Sequence, residues 1–330
     1  MNPALNQLEQ RAQAHGFSGV VRVQRRGDVV VEFACGHRDR ANERANTLET
    51  RFAVASGTKA LTALAVMSLI ESGAFALDTT LRSLVPDDLG FIDEAVTIDH
   101  LLTHRSGVGE YLNEAAGGDI DAHILGSLSA HTLETARDYL PLLSVHEQQS
   151  MPGERFAYNN SGFVMLSLVI EATTGSFHQA VRDRVLVRAA MPDAGFFRSD
   201  DLPANTALGY LANGRSNVFH LPVIGMGDGG VFLTLDDTTA FWDALLSGRI
   251  VSHESVAAMT AEISVYNDTR SYGRGFWLGP DADHVWLEGR DAGVSFQSGV
   301  FRAADVRYSV LSNTSTGAWP LVKAIREALT

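Results

Sequence analysis

Between Ala60 and Gly73 the chain reads ALTALAVMSLIESG, with apolar side chains all round the helical wheel. Leu61, Leu64, Ala65, Val66, Met67, Leu69 and Ile70 leave no wide polar face, so the segment predicts a buried helix stopped by Gly73. The two ends of the chain are patterned differently. SGVVRVQRRGDVVVEFACG gives two β-rich runs around Arg26-Gly27-Asp28, a hairpin signal. DHVWLEG, GVSFQSGVFR and VRYSVLSN predict three further strands near the other end. Leu5, Leu8 and Ala12 suit a short amphipathic helix, and Leu321, Val322, Ile325 and Leu329 suit a second. Strands at both ends imply one sheet assembled from both termini: an α/β lobe from residues 1–80 and 220–330, with 81–219 inserted as a mainly helical lobe. Within the insertion, helices are predicted over 98–102, 133–143, 162–172 with Gly175 as the stop, and 177–187. Farther on, DDTTAFWDALLSG has the acidic first turn and terminal glycine of a capped helix.

Composition narrows the class. With 330 residues, 45% hydrophobic and 20% charged, the chain reads as globular and near the upper size for a single core. A net charge of −13 without any Lys/Arg cluster argues against a nucleic-acid partner. Cys35 is the only cysteine, which excludes an internal disulfide and a Cys-rich metal site. The eleven histidines are scattered without ligand spacing, and no cofactor is implied. MNPALNQLEQRAQAHG lacks the basic region and apolar core of a signal peptide, and no apolar run approaches the ~20 residues of a membrane span. These features predict a cytoplasmic protein with no membrane partner. They leave its oligomeric state open.

Candidate chemistry begins just before the buried helix. In Ser56-Gly57-Thr58-Lys59 a hydroxyl and an amine lie one turn apart on one helix face. A partly desolvated lysine can take the proton of a serine and make it a nucleophile, whereas a serine at a helix start can equally be only an N-cap. Burial of the helix favours a functional lysine. Tyr158, in PGERFAYNNSGF, can carry protons if it reaches Ser56 and Lys59, and Asn160 can orient a carbonyl; packing and capping are their bland alternatives. Arg290, in LEGRDAGVSF, opens a predicted strand whose N–H can form half of an oxyanion hole, with Ser56 N–H as the other half. GMGDGGV at 225–231 lacks phosphate-loop spacing and reads as a tight turn that brings backbone close to a substrate or another strand. There is no Gly-x-Ser-x-Gly elbow for a Ser-His-Asp triad.

Taken in order, these blocks resemble the serine hydrolases that include class C β-lactamases, penicillin-binding carboxypeptidases and their esterase relatives. Ser56-x-x-Lys59, Tyr158-Asn159-Asn160 and the strand at Arg290-Asp291-Ala292 carry the resemblance, and LLTHRSGV at 101–108 and GDGGVFLT support it. It implies a β-lactamase-like fold, α/β plus all-α: an antiparallel sheet flanked by helices, an inserted helical lobe, and a site between the lobes. It implies Ser56 as nucleophile, Lys59 and Tyr158 as the proton-handling pair, Asn160 as a substrate contact, and a structural role for His104. The third block departs from the family's Lys-Thr-Gly or His-x-Gly, so Arg290 becomes the candidate for a substrate carboxylate and Gly293 the candidate oxyanion donor. The implied activity is acyl-enzyme hydrolysis of an ester or amide, carboxylesterase-like or β-lactamase-like, with the altered third block favouring an esterase. The alternative is a non-catalytic penicillin-recognising or scaffold protein that keeps the fold.

Overall fold

Eight strands form one antiparallel sheet in the computed structural model, which describes residues 3–85, 89–112, 120–122 and 129–329. Parts of the expected helical lobe, 86–88, 113–119 and 123–128, lie outside the described residues. Across the sheet the strands run Asp28–Cys35, Gly19–Arg25, Val306–Ser312, Val294–Phe301, His284–Asp291, Trp277–Leu278, Arg270–Tyr272 and Ser264–Asn267. The register Gly19↔Ser312 seats the first strand beside the last, so both ends of the chain build one side of the sheet, the second and third strands from its edge. Arg26 and Gly27 both have positive φ, 53° and 85°, the conformation of a two-residue hairpin turn that matches strand twist.

Alternation along the strands divides the core. Val21, Val23, Phe33, Tyr308 and Val310 pack under the helices Leu8–Ala14 and Ala318–Leu329. Val20, Val285, Leu287, Phe296, Val300 and Leu311 face the other way, into a larger core around the helix Thr58–Glu71. That helix is buried from Thr58 to Leu69, as its unbroken apolar wheel requires. Truncating one of its leucines to alanine costs roughly 2–5 kcal/mol.

The helix Asn160–Thr174 packs beside it and is buried from Asn160 to Ile170. Asn159 caps it, its side chain accepting from Gly162 N, and Gly175 ends it at φ 88°. The helix Leu235–Leu246 starts with a reciprocal Thr234–Asp237 box, which the acidic first turn foreshadows. Two other helices are shorter than expected. Over 133–143 the chain makes a 3₁₀ turn, Ala136–Tyr139, then one α-turn, Leu140–Leu143, because Pro141 is tolerated only at a helix start. Over 177–187 the α-turn Phe177–Val181 passes into a π-turn, Arg182–Leu186.

A small second sheet of Phe52–Ala53, Val231–Leu233 and Gly195–Phe196 ties the residues before Ser56 to the segment after the glycine turn. Among the described residues, no helix is long and apolar enough to cross a membrane.

Candidate active site

Ser56 lies in a one-turn 3₁₀ helix, Ala55–Gly57, that runs straight into Thr58–Glu71. Ala55 holds φ 45°, a left-handed conformation unusual for a residue with a Cβ, and this sets the kink that presents the next hydroxyl. The long helix starts at Gly57 with no side-chain cap, so the Ser56 hydroxyl is not used as one. It receives Lys59 Nζ instead, at 2.9 Å.

Lys59 is 1% exposed. Its ammonium also donates to Asn160 Oδ1 at 2.7 Å and to the Asp228 carbonyl at 2.8 Å. The Tyr158 ring lies over it, 5.1 Å from Nζ to the centroid, and is itself stacked on Trp277 at 5.8 Å and 14°. The structure therefore brings Ser56, Lys59, Tyr158 and Asn160 into one cluster. Asn160 serves the lysine here: its carbonyl oxygen holds Nζ while its amide donates to Leu112 O at 3.4 Å.

A second layer holds these groups in place. Asn159 N donates to His104 Nδ1 at 3.1 Å, which leaves the proton of the neutral ring on Nε2. Burial, then the nearby Lys59 charge, push the His104 pKa well below the usual histidine range. The ring is 4.4 Å from that of Tyr158, centroid to centroid, and supports it as packing. The Glu110 carboxylate accepts from the backbone of Leu112 at 2.8 Å and from that of Asn160. It is 9% exposed, and burial pushes its pKa up to about 8 against those bonds and the Lys59 charge.

The glycine turn meets the expectation of close backbone approach. A Cβ on Gly225 would lie 2.2 Å from Gly229 O, and one on Gly227 would lie 2.4 Å from Phe163 O. Thr62 Oγ1 donates to Gly227 O at 2.9 Å and Gly227 N donates to Ser167 Oγ at 2.8 Å, so the turn is strung between the two buried helices. That tension places the Asp228 carbonyl on Lys59.

The third block has a different register from the one expected. Gly293 sits in the turn of the hairpin at φ 69° and gives its N–H to Ser315 Oγ at 2.8 Å, so it is not an oxyanion donor. The residue against the serine is Gly289. A Cβ there would lie 2.0 Å from Val54 O and 2.7 Å from Ser56 N. The pair Asp291↔Val294 flanks a two-residue turn, so by antiparallel alternation Arg290↔Ser295 is a non-hydrogen-bonded pair. Arg290 N–H then points out of the ladder, toward the edge on which the Ala55–Gly57 turn packs. Side chains alternate as well: Gly289 and Asp291 share the Ser56 face and Arg290 leaves on the other. Its guanidinium is exposed and makes no hydrogen bond or ion pair among the described residues. What Arg290 offers the serine is its backbone.

A cavity of about 70 Å³ opens onto Ser56, walled by Tyr111, Tyr139, Asn160, Asp228 and Asp291 among others. Tyr111 donates its hydroxyl to Asp228 Oδ2. Sequence reasoning missed Glu110, Tyr111, Tyr139 and Asp228. The only signal that could have flagged them was an acidic residue and a tyrosine directly after the LLTHRSGV segment, and an aspartate inside the glycine turn.

The putative penicillin-binding protein PbpX of Bacillus subtilis is 27% identical over 269 residues, covering 80% of this chain and 63% of that relative, so the chain spans less than two thirds of its length. Esterase EstB of Burkholderia gladioli is 28% identical over 356 residues, covering 93% of this chain and 89% of the esterase. The crystal structure of a penicillin-binding protein from Bacillus halodurans superposes with a TM-score of 0.91 at 34% identity, covering 98% of this chain and all of that one. The sequence profile described as Beta-lactamase matches residues 5–329, and the chain belongs to the beta-lactamase family.

Proposed function

We propose that this protein is a serine hydrolase that opens esters or amides through an acyl-enzyme on Ser56. The observation that carries the reading is Lys59 Nζ at 2.9 Å from Ser56 Oγ, on a side chain that is almost fully buried and does not serve as a cap. In its neutral form Lys59 takes the hydroxyl proton as Oγ attacks the carbonyl carbon. The charge that builds on the carbonyl oxygen meets two backbone donors, Ser56 N–H at the helix start and Arg290 N–H at the strand edge. Collapse breaks the bond to the leaving group, which takes a proton delivered through Lys59 and Tyr158. Water then attacks the acyl-serine with the same pair as base, and Ser56 regains its proton.

Within this class the site favours carboxylesterase-like or amidase-like turnover over β-lactam recognition. The strand face beside Ser56 carries Leu287, Gly289 and Asp291, and the side chain of Arg290, whose residue also lines the cavity, leaves on the opposite face, so the cation lacks the usual third-block placement for a β-lactam carboxylate. Intact-mass analysis after p-nitrophenyl acetate or a fluorophosphonate is expected to show one adduct, on the peptide containing Ser56. An adduct of the same yield in Ser56→Ala would overturn the assignment.

A further inference from the structure

Glu110 is a buried ionisable group that the proton transfers do not use, and its carboxylate is engaged by main-chain donors. One oxygen accepts from Leu112 N at 2.8 Å and the other from Asn160 N, where the helix Asn160–Thr174 begins. The carboxylate thus staples the segment 110–112 to that helix start. Leu112 then presents its carbonyl to Asn160 Nδ2 at 3.4 Å, which turns the other end of the amide, Oδ1, to Lys59 Nζ at 2.7 Å.

The sense of that amide decides where the lysine can act. As an ammonium, Lys59 sends donors to Ser56 Oγ, Asn160 Oδ1 and the Asp228 carbonyl. As a neutral base it keeps two donors and gains a lone pair. The two carbonyl oxygens can only accept, so they take the two donors, and the lone pair is left facing Ser56 Oγ, the one partner of the three with a proton to give. An Asn160 amide turned end for end would give its NH₂ to the lone pair and draw it away from the serine. The Asp228 carbonyl has no such freedom, because its turn is strung between Thr62 and Ser167. The Asn160 amide turns about a single bond, so its sense has to be set by its neighbours.

We infer that Glu110 is a positioning residue: by joining Leu112 N to Asn160 N it fixes the sense of the Asn160 amide, and with it the direction of the Lys59 lone pair. This rests on Lys59 as the base that activates Ser56. Glu110 does not line the cavity, so its effect falls on the reactivity of the serine and not on the fit of the substrate.

The test is the rate constant for labelling of Ser56 by a fluorophosphonate at pH 9, above the pKa of about 8 to which burial pushes Glu110, so that its carboxylate is ionised. Glu110→Gln sets an NH₂ against one of the two N–H groups and opens the staple. Labelling is expected to slow ~10–100-fold, as for a misaimed catalytic group. In Asn160→Ala there is no amide to aim, and the same change is expected to cost no more than about twofold, the scatter of independent sites. Glu110→Asp, too short to span both N–H groups, should show the same dependence on Asn160 and takes the place of Glu110→Gln if that variant does not fold. Equal losses in both backgrounds would show that Glu110 only braces the helix start, and either that result or the absence of any loss would overturn the proposal. Lys59→Ala separates the two readings. If it labels as fast as wild type, the base assignment has failed; if it is slow while Glu110→Gln labels at the wild-type rate, only the positioning role has failed.

Discussion

The two long buried helices begin side by side and solve the same problem in opposite ways. At Asn160–Thr174 the preceding residue, Asn159, accepts from Gly162 N and closes the helix start. At Thr58–Glu71 no side chain does this, and the hydroxyl one residue before Gly57 is bonded to a lysine instead. The first start is stabilised by a side chain; in the second the 3₁₀ turn takes the Gly57 and Thr58 N–H groups on Val54 O and Ala55 O and leaves Ser56 N–H to face the cavity. Where a residue type well suited to capping stands at a helix start and does not cap, the local rule has given way to chemistry.

The largest effect should come from Lys59→Ala. Turnover of p-nitrophenyl acetate is expected to fall by at least ~10²-fold, the lower range for acid–base catalysis. Near-wild-type kcat would mean that the uncapped start has no catalytic meaning. Gly289→Ala tests the same start from the strand side. Its Cβ would collide with Val54 O and Ser56 N, so kcat should drop on the order of 10²-fold from misplacement of the serine, with ~1–3 kcal/mol of overpacking seen in urea melts.

The capped start should respond in stability first. Asn159→Ala removes the Gly162 bond and is expected to cost ~0.5–2 kcal/mol in chemical denaturation, with a smaller loss in kcat as Asn160 shifts from Lys59. If kcat falls as far as in Lys59→Ala, the contrast between the two starts dissolves.

The smallest effect is one of pH. Glu110, whose carboxylate joins Leu112 to the start of the capped helix, has a pKa raised from 4.5 to about 8 by burial. The folded state then binds more protons than the unfolded one between these values, so this group's contribution is full at low pH and is lost as pH rises toward 8. Thermal melts at pH 5 and pH 8 should show a larger fall in Tm for wild type than for Glu110→Gln. An equal fall in both would show that Glu110 titrates as an ordinary carboxylate.

What was legible in the sequence follows from how local each feature is. Ser56 and Lys59 lie within one turn of one helix, so their spacing alone set their meeting. Alternation at both chain ends predicts one sheet built from both termini, and the register Gly19↔Ser312 bears that out; the fold class came from the family resemblance. The strands Ser264–Asn267, Arg270–Tyr272 and Trp277–Leu278 were missed because they are only four, three and two residues long. The third block was read from charge, at Arg290. Its register is set by bulk instead, since only a glycine fits between Val54 O and Ser56 N, and that places Gly289 there and turns Arg290 outward. Asp228 and Tyr139 line the cavity at Ser56 and Glu110 braces the backbone of Asn160; they come from separate segments, and nothing in their spacing announces that they meet.

The meeting of the chain ends governs how the protein is made. Ser312 Oγ donates to Ser18 O across 294 residues, where the first strand meets the last. The N-terminal hairpin therefore leaves the ribosome early with its inner edge unpaired, and at ~5–20 residues per second its partner strand follows tens of seconds later. Until then the helix Thr58–Glu71 has no floor of Val285, Leu287 and Phe296 to lie on. Loss of the last two elements, Val306–Ser312 and Ala318–Leu329, would strand the first hairpin with an open edge, a state that favours aggregation over activity. Assembly of the site is in this sense late: Ser56 and Lys59 are made long before the strand His284–Asp291 that packs against their turn.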